Sequence, residues 1–193
     1  MTHSETQDTA RAPETRKSVG FFTPKRISRM AVLIALSGVG AFVKIPSPGG
    51  DLGIDSAPGY FAGFMKKWDW KEAQVIGLFA RLIAAGIVGF PFGLPVQILW
   101  GIFLGGSMGV IARLARLRFG YIAGIVAATI WNGVIFSLLV IPASVLLVGG
   151  AGGMGAAIAV GVASVLGASL AAALSATIGT VAARSLESTK LAK

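Results

Sequence analysis

Arg81 is the strongest candidate for a functional side chain, because it interrupts an apolar segment at residues 75–85. A cation near the centre of a bilayer costs about 2.5 to 3.5 kcal/mol to insert, so it should face a protein interior and have a partner. That partner could be Asp51 or Asp55, a carbonyl group of a broken helix, or a bound ligand. Snorkelling of the side chain to the membrane interface is a further alternative.

A loop rich in proline and glycine, residues 44–60, carries the next polar group. Asp55 or Ser56 can cap the helix that follows, with Pro58 in its first turn. Alternatively, Asp55 binds a ligand, because irregular segments that lead into short helices line substrate sites in membrane transporters. The loop is therefore a candidate lid.

Amide and aromatic side chains complete the candidate site. Gln97 and Asn132 lie inside apolar segments, where an unsatisfied amide is costly. Aromatic residues nearby could stack on a planar ligand, although many aromatic residues at such positions face lipid or form an interfacial belt. The candidate substrate-binding residues are Asp55, Arg81, Phe90, Phe92, Gln97, Trp131 and Asn132.

Catalytic and metal centres have little support in the sequence. The chain has no cysteine, and its one histidine is His3, so thiolate chemistry, a His-ligated metal and a Ser–His pair are excluded. Asp69 and Glu72 are the nearest acid–base candidates, but the lysines among residues 66–71 favour solvated ion pairs there. We therefore expect a binding protein without catalysis, metal or cofactor.

The elements that must position these residues are membrane helices. Hydrophobic residues make up 54% of the chain and charged residues 13%, against roughly 25% charged in soluble domains. Residues 119–183 contain no Asp, Glu, Lys or Arg, which is room for two spans of about 20 residues. We expect an all-α protein with six transmembrane helices at about residues 30–43, 56–65, 72–88, 94–112, 119–141 and 154–183, with turns at Gly89–Pro95 and after Pro142.

The second of these helices is too short to cross a bilayer alone. Residues 56–65 give about 15 Å of helix, or half of the hydrocarbon thickness. Irregular backbone at membrane depth is tolerated only inside protein or along a cavity. Residues 45–57 are therefore expected to form an extracellular loop that dips into the bundle.

Cations determine the expected orientation. The N-terminal tail, residues 66–71, residues 113–118 and the segment after residue 183 hold 15 of the 17 Lys and Arg residues, which places both termini in the cytoplasm. The net charge of +9 then reflects contact with anionic membrane lipid and not nucleic-acid binding. Residues 1–25 are expected to be a disordered polar tail, residues 26–185 the membrane domain, and residues 186–193 a cytoplasmic tail.

Small residues recur at helix-packing spacing. Ala31 and Ala35 form a small-xxx-small pair in the first helix, and Gly101, Gly105 and Gly109 form a row in the fourth. Such rows let helix backbones approach closely, most often within one bundle.

Taken together, these motifs resemble the S components of energy-coupling factor (ECF) vitamin transporters. The resemblance covers residues 27–143. It rests on Ala31 and Ala35, the Pro-Ser-Pro-Gly run at 46–49, the Asp-Ser-Ala-Pro-Gly-Tyr run at 55–60, and the Gly-Phe-Pro and Leu-Pro runs at 89–91 and 94–95. In that family, a six-helix protein of the cell membrane binds a vitamin near its outer face, and the loop after the first helix closes over the ligand.

The resemblance also implies partners and a substrate. A T subunit with two ATPase subunits drives transport in that family, and Ala31 and Ala35 would be the docking residues for the T subunit. The motifs are most similar to the branch associated with α-ribazole, a cobalamin precursor. Arg81 and Gln97 replace histidines of that branch, so a pyrimidine or thiamine precursor is the next expectation. A stand-alone secondary carrier or channel for a small polar solute, with Arg81 and Asp51 or Asp55 as a charge relay, is the alternative.

Overall fold

The computed structural model describes residues 20–45, 52–88, 93–147, 149 and 152–189. These residues form six helical segments and one short hairpin, so the expectation of an all-helical chain is confirmed. The helices are α1 (Pro24–Phe42), α2 (Ala57–Phe64), α3 (Trp70–Val88), α4 (Leu94–Phe119), α5 (Tyr121–Leu147) and α6 (Gly153–Ser188). By length and composition, α4, α5 and α6 could each cross a membrane, as expected of an all-α membrane protein.

Two of the long helices contain π-helical segments. In α4, the segment Ser107–Ile111 separates the α-helical parts Leu94–Gly106 and Ala112–Phe119. In α5, the segment Ile130–Val140 lies between Tyr121–Thr129 and Ile141–Leu147. Because π-helical turns often mark functional positions, residues in these two segments are of particular interest.

Two helix boundaries differ from the sequence prediction. Pro142 does not end α5, which continues to Leu147; the Ser144 hydroxyl donates to the Val140 carbonyl at 2.7 Å, and serine side chains and π-helical turns are what allow proline inside membrane helices. The basic segment 113–118 is helical and belongs to α4, which ends before Gly120. A φ of 94° at Gly120 favours glycine there.

The half-length helix α2 lies in the middle of the bundle. All of its residues except Phe61 are buried, and it packs against α1, α3, α4 and α6. Close backbone approach makes this possible: a Cβ atom at Gly63 would overlap the Met108 carbonyl of α4, and one at Gly179 would lie within 3 Å of the Ala57 carbonyl oxygen. A short helix is therefore enclosed by longer ones.

A β-hairpin precedes α2. Strand β1 (Lys44–Ile45) pairs antiparallel with β2 (Leu52–Gly53), with Lys44 opposite Gly53. The turn of the hairpin, which contains Asp51, lies outside the described residues. After β2 the backbone rests on α1, because a Cβ atom at Gly40 would lie 3.1 Å from backbone atoms of Asp55.

Ion pairs join the start of α1 to the start of α3. Glu72 is fully buried and accepts two hydrogen bonds from the Arg29 guanidinium; Arg26 lies 3.6 Å from the same carboxylate and 3.5 Å from Asp69. Arg29 also lies over the Trp68 ring, 4.2 Å from its centroid. We call Arg26, Arg29, Asp69 and Glu72 the ion-pair region. The expectation of solvated pairs with lysine is wrong for Glu72, because α1 covers it.

A second group of charges lies where α4, α5 and α6 approach the connection between α2 and α3. Glu187 accepts hydrogen bonds from the Lys66 backbone N–H at 2.9 Å and from the Tyr121 hydroxyl at 2.8 Å. Arg116 pairs with the same carboxylate at 3.3 Å, and Arg113 donates to the Lys66 carbonyl at 3.1 Å. The connection is thus held from several helices.

Candidate ligand-binding site

A cavity of about 180 Å³ lies among α2, α3, α4, α5 and α6. Polar side chains form part of its wall, and leucine, phenylalanine and alanine form the rest. The lining residues are Asp55, Ser56, Tyr60, Arg81, Leu104, Asn132, Phe136, Ala168, Ala171 and Ala172.

Small residues on α6 leave the space that the cavity occupies. Ala168, Ala171 and Ala172 share one face of the helix, because residues three and four positions apart are neighbours. On α5, which packs against α6, Asn132 and Phe136 share one face by the same spacing. The cavity is therefore lined by short side chains of α6 and by larger ones of α5.

Arg81 is fixed by two residues of α4. Its Nε donates to Gln97 Oε1 at 2.9 Å, and its guanidinium lies over the Trp100 ring, 4.9 Å from the centroid. The Trp100 indole N–H in turn donates to the Ser144 hydroxyl of α5 at 2.7 Å. These contacts orient the planar guanidinium, which is the side chain best suited to directed hydrogen bonding.

Asp55 supplies the opposite charge in the same wall. It is half-buried at the end of the hairpin, two residues before α2 begins, and interacts electrostatically with Arg81. The residue that caps α2 is Ser56, without a side-chain capping bond. The structure therefore gives Asp55 a position at the cavity beside a cation of α3.

Asn132 is held by the Tyr60 hydroxyl and retains an acceptor. Its Nδ2 donates to Tyr60, whose hydroxyl oxygen lies 3.1 Å from Ser107 Oγ. Asn132 is 6% exposed, and its Oδ1 has no hydrogen-bond partner in the part of the chain that the structure describes. A buried, unpaired acceptor in a cavity wall is what a ligand donor can satisfy, because leaving it unpaired is costly.

Three of the residues predicted from the sequence meet at this cavity: Asp55, Arg81 and Asn132. Gln97 is fully buried and contacts Arg81, outside the lining set. Trp131 is also outside it, and its ring stacks on Phe103 with centroids 4.9 Å apart. Phe90 and Phe92 lie outside the described residues.

The sequence prediction did not include Phe136, Leu104 or the α6 alanines. Phe136 lies one helical turn after Asn132, a spacing that could have indicated it. The alanines have no comparable signal, because α6 carries small residues along most of its length.

The predicted docking residues lie on the outer surface of α1. Ala31 and Ala35 are both exposed, whereas Met30, Leu33 and Ser37 are buried on the other side of the helix. The alanine pair is therefore not used for packing within the described bundle.

Comparison with known proteins does not assign the chain to a family. No family model, characterised protein or solved structure matches it. The class that the chain's own geometry defines is an all-helical protein with three helices of membrane-spanning length and a cavity between its helices that is lined in part by polar side chains.

Proposed function

We propose that this chain is the membrane-embedded substrate-binding (S) subunit of an ECF-type, ATP-driven importer for a small vitamin or vitamin precursor. In this proposal it crosses the plasma membrane six times, with both termini in the cytoplasm. The lead substrate is α-ribazole, followed by a pyrimidine or thiamine precursor. The observation that supports binding is the cavity between the helices that presents Asp55, Arg81 and the Asn132 oxygen, which has no partner among the described residues.

The binding role follows from the chemistry of the wall. Asn132 Oδ1 and the Asp55 carboxylate accept hydrogen bonds, the Arg81 guanidinium donates them, and Phe136 and the alanines of α6 contact the apolar part of a ligand. The hairpin that leads into α2 would act as the lid. Gln97 would act through Arg81 by fixing its orientation.

The partner role is assigned to the exposed face of α1. Ala31 and Ala35 are exposed and small, so that a helix of another membrane subunit could approach the α1 backbone closely. In the proposal, this partner is the T subunit, which couples the chain to two ATPase subunits.

The test is uptake by the complex reconstituted with its T subunit and ATPases, together with ligand binding to the purified chain. Ala31→Trp and Ala35→Trp should abolish ATP-dependent uptake and leave ligand affinity unchanged. Val126→Trp, at an exposed position on a different helix, α5, is the control and should retain uptake. Loss of ligand binding in the alanine variants would contradict docking and indicate internal packing.

The alternative is a stand-alone carrier or channel. It is favoured by the opposite charges of Asp55 and Arg81 in one cavity wall, which could relay charge during transport. Solute flux by the chain reconstituted alone, without ATP, would replace the ECF proposal with this one.

A further inference from the structure

We propose that the charged group at the α2–α3 connection binds the phosphate headgroup of an anionic phospholipid. Its cations are Lys66 of the connection, Arg113 and Arg116 of α4, and Arg184 of α6, and we call these four residues the basic junction. The proposal goes beyond substrate binding and concerns a different part of the molecule from the cavity. It requires only that the chain lie in a membrane.

Two arginine side chains of the basic junction share one aromatic ring. The Arg116 guanidinium lies 4.5 Å from the centroid of the Tyr121 ring, and the Arg184 guanidinium lies 5.4 Å from the same centroid. Arg116 pairs with Glu187 at 3.3 Å, and Lys66 interacts electrostatically with the same carboxylate. Cations from three parts of the chain are therefore close together.

Few carboxylates face these cations. In the part of the chain that the structure describes, Glu187 is the carboxylate that contacts the basic junction. Asp69 and Glu72 attract Arg113 electrostatically, but both are paired within the ion-pair region. The like charges of the junction repel one another, so an anion from outside the chain would stabilise them.

The rest of the chain has no surplus of negative charge to supply. It holds eight acidic residues in all, and those outside the two charged groups are Glu5, Asp8, Glu14, Asp51 and Asp55. The first three lie in residues 1–19 together with Arg11, Arg16 and Lys17, so the formal side-chain charges of that segment cancel. The other two precede α2, whereas the connection follows it. An external anion is therefore the better complement.

Arg116 is the buried member of the basic junction. Its side chain is 2% exposed, and its Nη2 donates to the Tyr121 hydroxyl at 2.8 Å. Its Nη1 has no hydrogen-bond partner among the residues that the structure describes. A buried guanidinium with incomplete hydrogen bonding is costly. Because Lys66 and Arg184 are exposed beside it, a phosphate bound by these two would lower that cost.

The position of the junction along the helices favours a lipid as the source of the phosphate. Helix α4 ends at Phe119, α5 begins at Tyr121 and α6 ends at Ser188, and the Tyr121 hydroxyl donates to Glu187 at 2.8 Å. The ends of the three helices of membrane-spanning length therefore meet here. Tyrosine is enriched at the level of lipid headgroups, and basic pockets between membrane helices bind anionic ones.

Apolar side chains beside the junction suit the acyl chains. Leu117, Phe119 and Ile122 are 57%, 74% and 79% exposed, and they flank Arg116 and Tyr121 in the sequence. A free phosphate ion would leave them uncovered. An anionic phospholipid complements both parts of this surface, because its phosphate contacts the cations and its chains contact the apolar side chains.

The test measures the melting temperature of the full chain in detergent with added lipid. Phosphatidylglycerol should raise it, because a ligand of the folded state stabilises that state. Phosphatidylcholine, which has the phosphate but no net charge, should not. Inorganic phosphate should not raise it either, because it has no acyl chains. Titration with phosphatidylglycerol gives an apparent dissociation constant for the comparison of variants.

A double variant removes the two exposed cations of the junction. Lys66→Gln with Arg184→Gln should weaken phosphatidylglycerol binding about 30-fold, or about 5-fold for each cation. The contacts of residue 66 with Glu187 and Arg113 use its backbone and are retained. Lys25→Gln with Lys71→Gln is the matched control, because it removes two exposed cations at the starts of α1 and α3. It should change the affinity less than about 2-fold.

Contrary results would overturn the proposal in distinguishable ways. Equal stabilisation by phosphatidylglycerol and phosphatidylcholine would remove the charge requirement. Equal loss of affinity in the two double variants would mean that lipid is attracted by the whole basic surface and not by this site. Stabilisation by inorganic phosphate alone would assign the junction to a free anion. Absence of any stabilisation would also overturn it, and the substrate-binding proposal would still be judged separately, by ATP-dependent uptake with the T subunit.

Discussion

The ion-pair region and the cavity use similar residues in opposite ways. In the ion-pair region, the fully buried Glu72 carboxylate is bound by Arg29 and approached by Arg26. In the cavity wall, Arg81 is held by Gln97 and Trp100. The buried oxygen of Asn132 has no partner among the described residues.

The difference separates polar groups that serve the fold from those available to a ligand. Where the chain satisfies its own charges, the result is a fixed junction between helices. Buried hydroxyls without partners also occur elsewhere, as at Ser137, so an unpaired atom alone does not mark a site. The Asn132 oxygen matters because it lines a cavity together with two charged side chains.

The largest predicted effect tests the structural role of the ion-pair region. Glu72→Ala should lower the free energy of unfolding by about 3 kcal/mol, because it leaves the partly buried Arg29 without its carboxylate. Asp69→Asn is the control and should cost under about 1 kcal/mol, because the pair with Arg26 is 3.5 Å long and partly exposed and asparagine can still accept from the Lys71 backbone N–H. Chemical unfolding in detergent measures both, and equal losses would contradict the contrast.

A second prediction concerns the contact between α3 and α4, which connects the two regions. Gly105→Ala should destabilise the protein by about 1 to 3 kcal/mol, because its Cβ would overlap the Gln74 carbonyl of α3. Gly106→Ala is the matched control, since no atom lies within 4 Å of its Cβ position. The melting temperature of the Gly105→Ala variant should be clearly lower than that of the Gly106→Ala variant. Equal melting temperatures would mean that α3 and α4 lie farther apart at Gly105 than the structure shows.

A substitution in the cavity wall should weaken ligand binding and leave stability nearly unchanged, unlike a substitution in the ion-pair region. Arg81→Lys keeps the positive charge near Asp55 but cannot reproduce the planar contacts with Gln97 and Trp100. We expect ligand affinity to fall about 10-fold, or about 1.4 kcal/mol, with little change in melting temperature. Calorimetric titration measures the affinity. A loss of stability without loss of affinity would assign Arg81 to the fold.

The smallest predicted effect is at the hydroxyl that orients Asn132. Tyr60→Phe removes the group between Asn132 and Ser107 and should lower stability by about 1 kcal/mol. Ligand affinity should fall only a few-fold, because Asn132 keeps its oxygen but loses one constraint. Stability and affinity measured on the same preparation would show whether the two effects occur together; unchanged affinity would mean that Tyr60 does not position Asn132.

Much of the fold was predictable from local patterns. The apolar, charge-free segment 119–183 predicted two long helices, and its glycine-rich part marked the division between α5 and α6. Helix ends were less predictable. Pro142 predicted a helix end, but α5 continues past it through serine hydrogen bonding and π-helical turns, which no local pattern specified.

The candidate site was predictable in its polar members and not in its shape. Arg81, Asp55 and Asn132 were singled out because a charged or amide group in an apolar segment needs a partner. Trp131 was proposed on the same grounds as Phe90 and Phe92, yet its ring stacks on Phe103. Whether an aromatic residue faces a neighbouring helix or a cavity depends on the rotation of its helix, which its own sequence does not define.

By itself, the sequence determined that this chain is helical and apolar. Long apolar runs without charge are typical of membrane segments. Inside a membrane, a helix is favoured because it satisfies its backbone hydrogen bonds within the segment. Tertiary structure alone decided which polar groups meet. Glu72 is a buried partner of Arg29 because α1 lies beside α3. Arg81 contacts Gln97 because α4 also packs against α3. The cavity exists because alanines of α6 lie beside Asn132 and Phe136 of α5, which are far from them in the chain.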